Sequence, residues 1–134
     1  MKDFPARIAY LDDEQDLREI VRLTLEGAGF DGALATCGSG RELMQRLRVL
    51  QPELILLDLR MPDMDGPDVL DALNKSDEGK NVPIILTTGA LKLEMLELYK
   101  SLGVIGVIHK PLDLDDLVEN IRDLWLGHLE KTSA

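Results

Sequence analysis

Leu54-Ile55-Leu56-Leu57 is an apolar run without polar alternation, and it ends on Asp58. A strand with one wet face alternates. A short continuous apolar run suits a strand covered on both faces, the habit of parallel sheets flanked by helices. Three further runs have the same build. Ile8-Ala9-Tyr10-Leu11 leads into Asp12-Asp13, Ile84-Ile85-Leu86-Thr87 into Thr88-Gly89, and Val104 to Ile108 into His109-Lys110-Pro111. Open α/β sheets place their chemistry at the C-terminal ends of strands. An acid pair, a lone acid, a hydroxyl and a lysine are therefore expected to converge on one site.

Helical periodicity fills the gaps between these runs. Leu17, Ile20, Val21, Leu25 and Ala28 form one stripe, closed by Gly27 and Gly29. Asp31 to Thr36 reads as a further strand. Ser39-Gly40-Arg41-Glu42 has the form of a capping box, ahead of Leu43, Met44, Leu47 and Leu50. Val69, Leu70 and Leu73 mark a third helix, and Leu91 to Leu102 a fourth. On that fourth helix Leu91, Met95, Leu98, Tyr99 and Leu102 share a face, Leu93 lies opposite and Leu96 on the flank. Asn74 to Asn81 reads as a polar loop. Asp113 is placed to cap a fifth helix with Leu114, Leu117, Val118, Ile121 and Trp125 as its core stripe, and the polar tail from Glu130 is expected to fray. Strands and helices alternating in this way predict βαβ units around a parallel sheet. Residues 1–134 are expected to form a single domain, with a core over about 7–127.

Bulk properties narrow the partners. Hydrophobic residues make up 45% and charged residues 30%, as in a soluble globular chain. The net charge of −10 disfavours nucleic acid and anionic membranes, both of which need a basic footprint, so protein partners are expected. Residues 1–7 carry no signal-peptide pattern, and no apolar stretch is long enough to span a bilayer. The single cysteine, Cys37, excludes an internal disulfide and fits a reducing, cytoplasmic setting.

Three converging carboxylates repel one another unless a cation offsets them. Magnesium takes oxygen ligands in octahedral geometry and keeps several waters, so few carboxylates suffice. One of Asp12 and Asp13 together with Asp58 can bind it directly, with a backbone carbonyl just after Asp58, while the other acid holds a metal-bound water. Lys110 and Thr88 can offset charge on phosphoryl oxygens, and a carboxylate can then act as nucleophile.

Tyr10-Leu11-Asp12-Asp13-Glu14, Asp58-Leu59-Arg60-Met61-Pro62-Asp63-Met64-Asp65-Gly66, Leu86-Thr87-Thr88-Gly89-Ala90 and Lys110-Pro111 resemble the receiver domain of two-component response regulators, from about Ile8 to about Leu126. The resemblance implies a flavodoxin-like (βα)5 sandwich with a parallel five-stranded sheet in the order 2-1-3-4-5. It implies that Asp58 accepts a phosphoryl group from a histidine kinase or histidine phosphotransfer protein. Asp12, Asp13, Asp58 and the backbone carbonyl of Arg60 would serve Mg2+, or Mn2+ in its place, and Thr88 and Lys110 would contact the phosphoryl group. The Lys110-Pro111 bond would be cis. A protein effector or a second copy would dock on the fourth helix, last strand and fifth helix. Such a module is not an enzyme toward outside substrates; it promotes only its own phosphoryl transfer and dephosphorylation.

The sequence departs from the family in one respect. Val107 stands where an aromatic residue is usual, three positions before the lysine, and a smaller switching movement is expected. Arg60 and Ala90 flank the site at its variable positions. Two other readings compete: a receiver scaffold that no longer takes phosphate, and a magnesium-dependent aspartyl-phosphate phosphatase. The haloacid dehalogenase type of the latter carries a second aspartate where this chain has Arg60. Asp63 and Asp65 read as turn residues, His109 as pointing away from the site, and His128 as a partner for a helix C-terminus.

Overall fold

The computed structural model describes residues 1–59, 66–89 and 91–133. Five strands, β1 (Arg7–Leu11), β2 (Ala33–Cys37), β3 (Leu54–Asp58), β4 (Ile84–Thr88) and β5 (Val104–His109), alternate with five helices. The helices are α1 (Gln15–Gly27), α2 (Gly40–Leu50), α3 (Gly66–Lys75), α4 (Leu96–Ser101) and α5 (Leu117–Ser133), with a 3-10 turn at Leu93–Met95 ahead of α4. All strand pairs are parallel and the order is β2-β1-β3-β4-β5, the flavodoxin-like arrangement. Every residue of β3 and β4 is buried, as a two-sided apolar strand requires.

Alternation along the strands divides the interior into two cores. On one side Ala9, Leu11, Ile55, Leu57, Ile84 and Leu86 meet Leu43 and Leu47 of α2, Val69, Leu70 and Leu73 of α3, and Tyr99 of α4. On the other, Ile8, Tyr10, Leu54, Leu56, Ile85 and Ile108 meet Val21 and Leu25 of α1 and Leu117, Ile121 and Trp125 of α5. Each fully buried side chain of this size contributes about 1.5–3 kcal/mol. Against that background, any polar group on the same faces must be matched by partners.

Helix ends follow local chemistry, with some departures from the sequence pattern. Gly29 takes φ +94°, and the amides of Gly29 and Phe30 bond the carbonyls of Glu26 and Leu25, a Schellman closure of α1. The α1 stripe is narrower than periodicity suggests, for Ile20 and Ala28 are exposed and Leu17, Val21 and Leu25 suffice. Ser39 Oγ accepts from the amide of Glu42 at 3.1 Å. The returning Glu42 carboxylate accepts from Gly38 rather than from Ser39 itself.

Asn74 belongs to α3 and not to the following loop. Its amide nitrogen donates to the carbonyls of Leu70 and Leu102, tying α3 to the end of α4. The fourth helix is shorter than Leu91 to Leu102. The 3-10 turn winds at three residues per turn and changes the phase, so Leu98 turns half out of the core while Leu91, Met95, Tyr99 and Leu102 stay in. Asp113 organises a turn ahead of α5 by accepting from the amide of Asp115, which leaves Leu114 outside the core stripe. The tail is helical rather than frayed through Ser133, where the Thr132 hydroxyl bonds back to the carbonyl of His128. Among the described residues no helix is long and apolar enough to cross a membrane.

Candidate functional site

The strand ends bring the expected residues together. Asp12 directly follows β1, and its amide bonds the Cys37 carbonyl of β2. Asp58 is the last residue of β3 and stands in register with Thr87 of β4. Lys110 directly follows β5, and its amide bonds the Thr88 carbonyl at 2.8 Å, which holds the lysine beside β4. Its ammonium reaches Asp12 Oδ2 at 2.8 Å and Asp58 Oδ2 at 3.3 Å.

Both acids are nearly or fully shut off from solvent, whereas Asp13 is exposed at the rim. Burial pulls the Lys110 pKa down. The hydrogen bond and charge of Asp12, then those of Asp58, outweigh that and leave it raised above the ordinary lysine value. Lys110 brings a single ammonium to these two buried carboxylates among the described residues. Oxygen atoms of Asp12, Asp13 and Asp58 lie within 4.8 Å of one another. Opposite ligands of an octahedral magnesium are about 4 Å apart, so this donor set fits such an ion with water completing the shell.

The remaining assignments divide by position. Thr88 is buried at the end of β4. Val107 packs half-buried against the α2–α4 core, in register with Leu86. His109 is exposed, and His128 sits in α5 with its ring 6.2 Å from that of Trp125. The Lys110-Pro111 bond is cis. Arg60, the turn residues Asp63 and Asp65, and Ala90 lie outside the described residues.

Three residues at the site were not singled out from sequence. Tyr10, fully buried, donates its phenol to Asp12 Oδ2 at 2.9 Å. Strand period two puts Tyr10 and Asp12 on one side, a signal available in the sequence. Arg18 Nη1 donates to the Asp12 carbonyl at 2.7 Å, for which no sequence pattern speaks. Thr87, 1% exposed, carries the one buried side-chain polar atom without a hydrogen-bond partner among the described residues. A buried hydroxyl without a partner costs about 1–3 kcal/mol. Thr87→Val is therefore expected to raise unfolding stability by about 1 kcal/mol, measured by denaturant titration. A loss of that size would mean the hydroxyl is satisfied in solution.

The response regulator receiver domain family matches residues 8–122. The DNA-binding response regulator MtrA of Mycobacterium tuberculosis is 36% identical over 116 residues, covering 87% of this chain and 49% of MtrA. The chain thus spans about half the length of that relative. The probable methanogenesis regulatory protein FilR2 of Methanothrix harundinacea is 29% identical over 132 residues, covering 92% of this chain and 85% of FilR2. Among solved structures, the chemotaxis response regulator CheY4 of Vibrio cholerae superposes with a TM-score of 0.78 at 26% identity, over 89% of this chain and 98% of CheY4. With the fold, the strand-end acids and the family match in agreement, the chain belongs to the response regulator receiver domains of two-component systems.

Proposed function

We propose that residues 1–134 act as one phosphorylation-controlled signalling unit in which Asp58 is the phosphoacceptor. The observation that carries this reading is Lys110 shared between two buried carboxylates, Asp12 and Asp58, with Asp13 close enough to complete a cation site. A carboxylate oxygen of Asp58 attacks the phosphorus of a phosphohistidine on a kinase or phosphotransfer protein. The new P–O bond forms as the P–N bond breaks, and the imidazole leaves with the donor protein. Lys110 turns from Asp58 toward one phosphoryl oxygen, and the Thr88 hydroxyl donates to another. Asp12, Asp13 and Asp58 would hold Mg2+, with the Arg60 carbonyl as the further ligand that the family implies. Such an ion, when bound, would supply positive charge where a dianionic phosphoryl group meets a carboxylate.

A cytoplasmic location belongs to the same reading and is supported by Cys37, a free and buried thiol. Protein partners are proposed for these residues on their net charge of −10. The DNA binding named for MtrA is a statement about that longer protein. Incubation with acetyl phosphate and Mg2+, followed by intact-mass measurement, tests the assignment. One added phosphoryl group per chain supports it. Hydrolysis of an outside phosphate ester faster than the adduct itself decays would favour the phosphatase reading, and no adduct would favour a scaffold.

Output is proposed to run through Thr88 to the segment that follows it. Leu93 in the 3-10 turn is 81% exposed and Leu98 in α4 is 50% exposed, apolar area beyond what packing on the sheet uses. Leu93→Glu is expected to weaken binding of the phosphorylated protein to its effector, or to a second copy, by about tenfold or more. The adduct yield on Asp58 should not change. Sedimentation and effector titration read this out, and equal affinities would move the interface to another face.

A further inference from the structure

In the proposed transfer Lys110 leaves two carboxylates to meet a phosphoryl oxygen, and the two do not hold it equally. Its ammonium lies 2.8 Å from Asp12 Oδ2 and 3.3 Å from Asp58 Oδ2. The shorter bond is the stronger one, so release from Asp12 is the harder step. Asp12 has no exposure, and a buried carboxylate oxygen that loses its donors bears its full desolvation penalty. Among the described residues two other groups bond this carboxylate. The Glu14 amide bonds Oδ1 at 2.9 Å, and the Tyr10 phenol bonds Oδ2, the oxygen the lysine uses, also at 2.9 Å. The two donors on Oδ2 differ in freedom. The Tyr10 ring is fully buried in the core under α1 and α5, whereas Lys110 ends a flexible stem that keeps 18% exposure.

We infer that Tyr10 is a positioning residue for the phosphoryl transfer: its phenol keeps Asp12 Oδ2 bonded as Lys110 departs, and so frees the lysine to follow the phosphoryl group. This rests on Asp58 as the phosphoacceptor and Lys110 as a phosphoryl contact. Departure of the lysine opens one lone pair on Oδ2 and leaves the other occupied. In Tyr10→Phe the same departure strips Oδ2 of both donors, so Asp12 retains the lysine. The covalent step is unaltered, for the P–O bond to Asp58 still forms as the donor's bond breaks, and no proton passes through Tyr10. Phenol and ammonium on one oxygen are substitutes rather than independent supports, so their losses should not add.

The test is a double-mutant cycle on the whole chain without metal. Wild type, Tyr10→Phe, Lys110→Met and the paired variant are compared by denaturant titration. Lys110→Met is expected to lower the folding equilibrium constant about tenfold more in the Tyr10→Phe background than in wild type, the scale of one hydrogen bond to a charged group. Additive losses, or a smaller loss in that background, would overturn the inference, since a purely structural tyrosine moves both backgrounds alike. If the pair does not fold, Tyr10→Phe alone decides through the kinetics of adduct formation with acetyl phosphate at saturating Mg2+. Its limiting rate should fall about tenfold while the half-saturating acetyl phosphate concentration stays the same. An unchanged limiting rate would overturn the inference. Wild type that takes up no phosphate would instead bring down the proposed function, an outcome distinct from additive losses in the metal-free cycle.

Discussion

Asp58→Asn is expected to eliminate the phosphoryl adduct, lowering its rate of formation by more than about a thousandfold, the scale on which removing a nucleophile acts. The amide keeps the shape of the carboxylate and still offers an oxygen to Lys110, so β3 and its two-sided burial should be undisturbed. What it loses is the proposed anionic nucleophile and one of the three acids that can meet a cation. Chelating the metal from the wild-type protein should mimic the chemical part of this loss, because a single ammonium cannot offset both the acids and an incoming dianion. Intact-mass kinetics with acetyl phosphate, with and without Mg2+, distinguish the two. A variant that gained phosphate at the wild-type rate would show that Asp12 or Asp13 is the acceptor. Far-UV circular dichroism of the variant guards against loss through unfolding.

Much of this site can be read from the chain because its parts are strand ends. A continuous apolar run such as Leu54 to Leu57 declares both a buried strand and the place where it stops, and the residue at the stop is Asp58. The same logic locates Asp12, Thr88 and Lys110, and parallel pairing then brings distant positions side by side. Less legible are features that depend on three-dimensional phase. A helical projection over one continuous helix puts Leu98 on the core face, and the 3-10 turn at Leu93–Met95 rotates it outward. Asn74 looked like a loop residue because polar side chains favour loops, yet it bonds two carbonyls that only tertiary contact brings within reach. Tyr10 reads as one apolar residue among four, although period two already sets it on the same side as Asp12. Arg18, and Thr87 with its hydroxyl unpartnered among the described residues, have no signature, since each is defined by where neighbouring chain segments end.

Lys110→Met should lower stability and slow adduct formation while raising the affinity for Mg2+. The methionine keeps an apolar stem of similar reach but leaves Asp12 and Asp58 buried with no cation between them. Removing one partner of a buried ion pair costs about 3 kcal/mol or more, because the remaining charge is stranded. The metal-free variant is therefore expected to unfold about 3 kcal/mol more easily than wild type. Its affinity for Mg2+ should rise, for the site has lost a competing positive charge, and excess Mg2+ should restore much of the stability through binding to the folded state. Adduct formation should still be slow, since no ammonium is left to meet the phosphoryl oxygen.

The pH dependence gives an independent check. The Lys110 pKa is raised in the folded state, so its contribution is fully present below the unfolded lysine value of 10.5 and is lost as pH rises through the folded-state value. The stability gap between wild type and Lys110→Met should accordingly be flat through neutral pH and close only in strong alkali. Denaturant titrations across that range, with and without Mg2+, measure it. A gap that closed near pH 7, or a variant whose metal affinity fell, would mean that Lys110 supports the acids through packing rather than through its charge.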